Sequence, residues 1–245
     1  MKINIDTPWG DSIDTTKHSK DLTKWYSDYP KLEYVMFRLP SYYAFDLTEM
    51  QNSIMQVLAE QDTISLNRNK EGKKYNRYRG LGFLSRENAL DPLYDHFTRR
   101  DTEHGEVYSD DLHLQDKLPE LYESDFTAPT KIYNEYFQKV FAVFKNKISK
   151  ASILELKSKG YLGSHVDFPY YKNIRLHATV FGGETAWYEI DGKRFQIPQD
   201  GHWYFIDTGQ YHSIWNNGPT DRLTINVNLT DIMSDPKTLA NNLEL

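Results

Sequence analysis

The sequence predicts a mainly β, α+β chain in which helices brace one face of a β-sandwich or barrel. Three observations predict it. An apolar stripe at helical spacing follows Asp46, a second such stripe ends near Phe144, and from Ile148 onward the hydrophobic period changes from 3.6 to two. Helices first and strands second are the order expected when helices pack on a sheet built mostly by the C-terminal half.

The first thirty residues are polar with scattered Trp9, Trp25 and Tyr26 and read as an irregular arm, and Tyr34 to Leu39 reads as a strand. Asp46-Leu47-Thr48-Glu49 then fits a capping box, in which the Asp side chain takes an N-terminal amide and Glu sits three residues on. Leu47, Met50, Ile54, Val57 and Leu58 fall on one face, so the helix runs to about Gln61. Between Arg99 and Asp125 the chain turns polar and acidic, which suits a surface loop or a lid over a site. Thr127 and Pro129 are placed to start the second helix, whose stripe is Ile132, Tyr133, Tyr136, Phe137, Val140, Phe141 and Phe144. Such a stripe is core packing. Ala186 to Ile190 and Lys193 to Ile197 flank Asp191-Gly192, a two-residue hairpin turn whose positions both tolerate positive φ.

At 245 residues the chain suits one domain, 1–245, with a helical and irregular support region over 1–147 and a β core over 148–230. A net charge of −6 and a pI near 5.8 argue against a phosphate-binding surface, so no nucleic-acid partner is expected. No apolar run is long enough to cross a bilayer and the first residues lack the apolar centre of a secretory signal, which predicts a cytoplasmic protein without a membrane partner. With no cysteine, disulfides, zinc ribbons and thiol nucleophiles are excluded, and metal chemistry has to come from His and carboxylates.

One His-x-Asp occurs, His165-Val166-Asp167, after Gly163 and before Pro169. Residues two apart in an extended segment project to the same side, so both could reach one ion. Alone the motif is unspecific. It gains force from Tyr211-His212-Ser213-Ile214-Trp215-Asn216-Asn217-Gly218-Pro219-Thr220-Asp221-Arg222, where turn residues separate two β-like runs. A hairpin centred at Asn217 would set His212 and Arg222 directly opposite, with Cβ atoms about 5 Å apart. Two His and one carboxylate leave metal positions open, the pattern of non-haem iron(II) oxygenases. Arg222 can grip a carboxylate with two parallel hydrogen bonds, and Thr224 shares its face and could add a hydroxyl.

Asn173, Arg175, His177 and Thr179 alternate with Ile174, Leu176, Ala178 and Val180, as Arg222, Thr224, Asn226 and Asn228 do with Leu223, Ile225, Val227 and Leu229. Neither polar face uses Lys or Glu, as solvent faces of strands commonly do. Both are therefore expected to line a wet cavity while the aliphatic faces pack on the helices. His18, His96, His104, His113 and His202 lack a convergent partner in the sequence, and the tyrosines around the His-x-Asp are expected to pack.

His-x-Asp, then Arg-x-His some ten residues later, then a His followed ten residues on by Arg, resembles the aspartyl/asparaginyl β-hydroxylase and bacterial proline hydroxylase group of 2-oxoglutarate oxygenases. The run Ile206-Asp207-Thr208-Gly209-Gln210-Tyr211-His212-Ser213-Ile214-Trp215-Asn216 is similar to that group's segment around its distal iron-binding His, and the likeness spans Ser152 to Leu229. The resemblance implies a double-stranded β-helix, or jelly roll, with iron(II) held by His165, Asp167 and His212. It implies Arg222 on the distal carboxylate of the cosubstrate 2-oxoglutarate, His177 as a further cosubstrate contact, and Arg175 toward the substrate's carboxylate or amide. A buried ion pair is the competing reading of Arg175.

The reaction implied is hydroxylation of a free amino acid or an amino-acid side chain of Pro, Asp or Asn type, consuming O2 and releasing succinate and CO2. A small-molecule amino acid or a peptide would be the substrate. The carboxylate at Asp167 argues against a halogenase, which needs that metal position for chloride. Two other readings stay open: a cupin-like non-redox metalloenzyme, favoured by anaerobic activity with zinc, and a 2-oxoglutarate-binding sensor without turnover.

Overall fold

In the computed structural model the described residues are 32, 34–61, 64–68, 74–85, 100–101, 105–106, 126–145, 148–165, 167 and 174–229. The irregular N-terminal arm and nearly all of the polar 99–125 stretch lie outside them. Among the described residues the strands are β1 (Met36–Arg38), β2 (Ile64–Arg68), β3 (Lys74–Gly82), β4 (Leu84–Ser85), β5 (Arg100–Asp101), β6 (Gly105–Glu106) and β7 (Ala128–Pro129). They continue with β8 (Ile148–Leu156), β9 (Tyr161–His165), β10 (Ile174–Phe181), β11 (Ala186–Ile190), β12 (Lys193–Phe195), β13 (Tyr204–Ile206), β14 (His212–Asn216) and β15 (Arg222–Leu229). Two α-helices stand among them, α1 (Leu47–Glu60) and α2 (Glu135–Ala142).

Strands β8 to β15 form a double-stranded β-helix. The larger sheet runs β1-β13-β10-β15-β8-β3-β2 and the smaller β12-β11-β14-β9. From β8 to β15 the chain therefore visits large, small, large, small, small, large, small, large. That alternation winds one ribbon into two facing sheets and is the jelly-roll path. The N-terminal region adds β1 to one edge of the large sheet and β3 and β2 beyond β8 at the other. The sequence reading foresaw only β1 of these three.

Period-two alternation on β10 and β15 sends the aliphatic set to one side. Ile174, Leu176, Ala178, Val180, Leu223, Ile225, Val227 and Leu229 join Met50, Ile54 and Val57 of α1 and Phe137 and Phe141 of α2 in one buried cluster. Burying each large apolar side chain there contributes about 1.5–3 kcal/mol. α1 starts as the sequence predicts: the Asp46 carboxylate accepts from the Glu49 amide at 2.8 Å. The Asp191-Gly192 turn also forms, with both residues at positive φ and Ile190 opposite Lys193, although β12 stops at Phe195. Among the described residues no helix is long and apolar enough to cross a membrane.

Two expectations are corrected. The second helix begins at Glu135 rather than at Thr127. Residues 128–129 pair with β4, and the Thr130 hydroxyl donates to Gly82 O at 2.7 Å, which holds this stretch extended. Asn134 then caps α2, accepting from the amides of Tyr136 and Phe137. Second, β14 and β15 are not a hairpin. β14 pairs with β11 and β9, and β15 with β10 and β8, so His212 lies opposite Ile190 and His165 while Arg222 lies opposite Leu156. The intervening turn crosses between sheets because the Asn216 side chain ties it to both. Its Nδ2 donates to Thr220 O (2.7 Å) and Leu156 O (3.3 Å), and its Oδ1 accepts from Gly218 N and Thr185 Oγ1, each at 3.0 Å.

Candidate metal and cosubstrate site

The polar faces of β10 and β15 are the inner face of the large sheet. Antiparallel register sets Arg175 opposite Asn228, His177 opposite Asn226 and Thr179 opposite Thr224, and β8 adds Ser149, Ser152 and Leu154 to those three rows. Nearly all of these groups are buried, as expected for a lined cavity. Among the described residues the side-chain oxygens of Ser149 and Thr179, Oδ1 of Asn226 and Nε2 of His177 have no hydrogen-bond partner. Buried polar groups are ordinarily hydrogen-bonded. Several orphans on one inner face mark a volume shaped for something polar.

His212 and Asp167 meet at one end of this interior. His212 Nε2 stands 3.7 Å from Asp167 Oδ2. One turn, residues 207–210, positions both. Thr208 O accepts from the Asp167 amide at 2.8 Å, and Gln210 O stands 3.0 Å from His212 Nδ1. A carbonyl can only accept, so Nδ1 carries a proton, and in the neutral ring it is Nε2 that can offer a lone pair to a metal. The turn itself is closed by the fully buried Asp207, whose carboxylate accepts from Gln210 Nε2 at 2.7 Å.

His165 is Cα-paired with His212 across β9 and β14. Its side chain lies outside the described residues, so among the described residues two of the three expected ligands come together. An imidazole lone pair beside a carboxylate, with a second histidine directly across the ladder, is a donor set that suits a divalent metal.

Arg175 does not stand free. Its guanidinium forms an ion pair with Asp167, and its Nε donates to Asn228 Oδ1 at 3.1 Å. The ion pair that competes with a substrate-binding role for Arg175 is therefore present, and it is part-buried.

Arg222 is 3% exposed, and its Nη2 donates to Tyr188 Oη at 3.2 Å with the guanidinium 5.0 Å above the Tyr188 ring. Among the described residues no carboxylate pairs with it, an uncompensated charge that is costly to bury unless an anion arrives. Thr224 is buried two residues along the same face. His177 is also buried, and burial first, then the charges of Arg175, Arg222 and His212, push its pKa well below the ordinary imidazole value. It stays neutral at physiological pH, with Nδ1 3.2 Å from Tyr188 Oη.

Tyr188 is the site residue that sequence reasoning missed. The signal was present in the Asp191-Gly192 turn. It fixes β11 so that Tyr188 and Ile190 share a face, and both lie in the apolar cluster between the sheets with Leu156 and Ile214.

A double-stranded β-helix whose interior sets His212 beside Asp167 and buries Arg222 defines the class of fold and site. The resemblance read in the sequence holds: residues 121–231 match the family model described as Aspartyl/Asparaginyl beta-hydroxylase. The match begins upstream of Ser152 and takes in α2. No curated protein matches the chain. Among solved structures, a prolyl hydroxylase from Trichoplax adhaerens, in complex with a hypoxia inducible factor oxygen degradation domain peptide fragment, is 8% identical, with a TM-score of 0.46 over 80% of this chain and 84% of that one. An oxidoreductase of the 2OG-Fe(II) oxygenase family from Burkholderia pseudomallei is 12% identical, with a TM-score of 0.43 over 84% and 89%. A predicted oxalate decarboxylase from Thermotoga maritima is 24% identical, with a TM-score of 0.29 over 36% and 72%.

Proposed function

We propose that the protein is an iron(II)- and 2-oxoglutarate-dependent dioxygenase that hydroxylates a free amino acid or an amino-acid side chain of Pro, Asp or Asn type. The observation that carries this reading is a buried Arg222 guanidinium that no carboxylate pairs with among the described residues, in the same interior that sets His212 Nε2 3.7 Å from Asp167. In this reading His165, Asp167 and His212 hold the metal, and Arg222 grips the distal carboxylate of 2-oxoglutarate with Thr224 and His177 beside it. When bound, iron(II), 2-oxoglutarate and O2 supply the oxidising power to convert a substrate C–H to C–OH, with release of succinate and CO2.

The chain's own contribution is positioning. The turn at 207–210 aims both ligands, so little reorganisation is needed when the ion binds. Leu154, Leu156, Ile190 and Ile214 line the inner faces and help exclude water, which strengthens every charge interaction within. Arg175, anchored on Asn228, is suited to turn its guanidinium from Asp167 to a substrate carboxylate or amide.

The test is succinate formation from 2-oxoglutarate. It is expected to require added iron(II), and amino acids or short peptides that are substrates should stimulate it. An Asp167→Ala, His212→Ala double variant is expected to be inactive, and robust turnover by it would overturn the reading.

A further inference from the structure

We infer that Tyr188 is a positioning residue for the cosubstrate site: its hydroxyl relays from Arg222 to His177 and locks His177 in the tautomer whose Nε2–H donates to a bound carboxylate. The inference rests on the reading above for what the carboxylate is, but its hydrogen-bond logic is independent of that reading.

Among the described residues the Tyr188 hydroxyl has two neighbours in hydrogen-bond reach, Arg222 Nη2 and His177 Nδ1, each at 3.2 Å. A guanidinium only donates, so the phenolic oxygen accepts from Arg222. The phenol's single proton then has one acceptor in reach, His177 Nδ1. An imidazole that accepts at Nδ1 and is neutral carries its proton on Nε2. That nitrogen is buried and has no partner among the described residues. It can only donate, and the group it lacks is an acceptor.

The interior around it fits an anion. Arg222 is buried without a carboxylate among the described residues, and Thr179 Oγ1, which also lacks a partner, lies two residues along β10 on the same face. Asn226, opposite His177, adds a further buried side-chain oxygen without a partner among the described residues. The ring of Tyr188 is held in turn. It stacks on Phe195 at 5.6 Å with an interplanar angle of 8°, under the Arg222 guanidinium. A phenylalanine at position 188 would keep these ring contacts and lose only the relay. His177 Nδ1 would then lack its donor, and the Nδ1–H and Nε2–H tautomers would mix.

The experiment has two readouts. Nitrogen-15 chemical shifts of the His177 ring, measured on the metal-free protein near pH 8, should report the Nε2–H tautomer in the wild type and a mixture in Tyr188→Phe. Binding of 2-oxoglutarate to the manganese(II)-loaded protein, followed by calorimetry, should weaken about tenfold in Tyr188→Phe, the size expected for a charge-assisted hydrogen bond made only part of the time. His177→Gln, which restores an amide donor, should bind more tightly than His177→Leu. An Nδ1–H tautomer in the wild type, or a Tyr188→Phe protein with unchanged tautomer and affinity, overturns the relay. Absence of 2-oxoglutarate binding in the wild type overturns the dioxygenase reading instead, while the ring shifts still decide the relay.

Discussion

At the scale of single residues, the interior depends on a few polar groups whose states are set by neighbours. His177 is the clearest. Its pKa is depressed by burial and nearby positive charge, so the unfolded chain takes up a proton at a pH where the folded chain does not. The sign follows. The stability linked to His177 is fully present above the unfolded value of about 6.5 and is lost as pH falls from there toward the depressed folded value. Denaturant midpoints of the metal-free protein should therefore drop below about pH 6.5, and His177→Asn should flatten that dependence. Asp207 makes a second case. Asp207→Ala leaves the buried Gln210 amide without its acceptor and is expected to destabilise by about 1–3 kcal/mol in urea titrations. Because the same turn aims Asp167 and His212, metal affinity should fall about tenfold or more with it.

At the scale of elements, the places where the chain changes sheet carry as much function as the strands. Gly182, just after β10, adopts φ +67°, and a Cβ there would sit 2.6 Å from Asp221 O and 3.0 Å from Arg222 Cα. Gly182→Ala is expected to cost about 2–4 kcal/mol and to displace Arg222, weakening 2-oxoglutarate binding as well as lowering the unfolding midpoint. Gly192 has a similar φ of +75° in the β11–β12 turn but nothing within 4 Å of its added Cβ. Gly192→Ala should therefore cost about 1–2 kcal/mol and leave cosubstrate binding intact.

Legibility from sequence follows the same division. Strand alternation exposed both polar faces, because a period of two survives in any sheet arrangement. The path between sheets was not legible: the turn after Asn216 looked like a hairpin because its composition signals reversal, whereas its destination is set by Asn216 contacting Leu156, sixty positions away. Thr127 misled for a related reason, since what keeps residues 128–130 extended is the long-range attachment to β4 and Gly82. Tyr188 went unseen because its role arises from Arg222 and His177, which lie on other strands.

At the scale of the whole molecule, both helices are joined to the jelly roll through one buried cluster, and β1, β2 and β3 through one continuous sheet. A ligand that binds only the folded state should stabilise all of it together. With manganese(II) and 2-oxoglutarate each near one hundred times its dissociation constant, the gain would be about 2.7 kcal/mol per ligand, read as a higher melting temperature that chelator reverses. The double variant lacking Asp167 and His212 should show no metal-dependent shift.

The pairing of β1 with β13 has a practical consequence for anyone seeking the smallest working fragment. Val35 O accepts from the Asp207 amide at 2.9 Å, and β1 covers the outer side of β13 from Tyr204 to Ile206. Trimming the chain to residues 148–230 would strip that cover and bare a row of unsatisfied amides and carbonyls flanked by aromatic side chains. An exposed edge of that kind recruits other strands. The excised barrel, which also loses β3 from its β8 edge and both helices from its apolar face, should therefore be recovered as self-associated material, whereas residues 34–230, which keep β1, β3 and both helices, should stay dispersed.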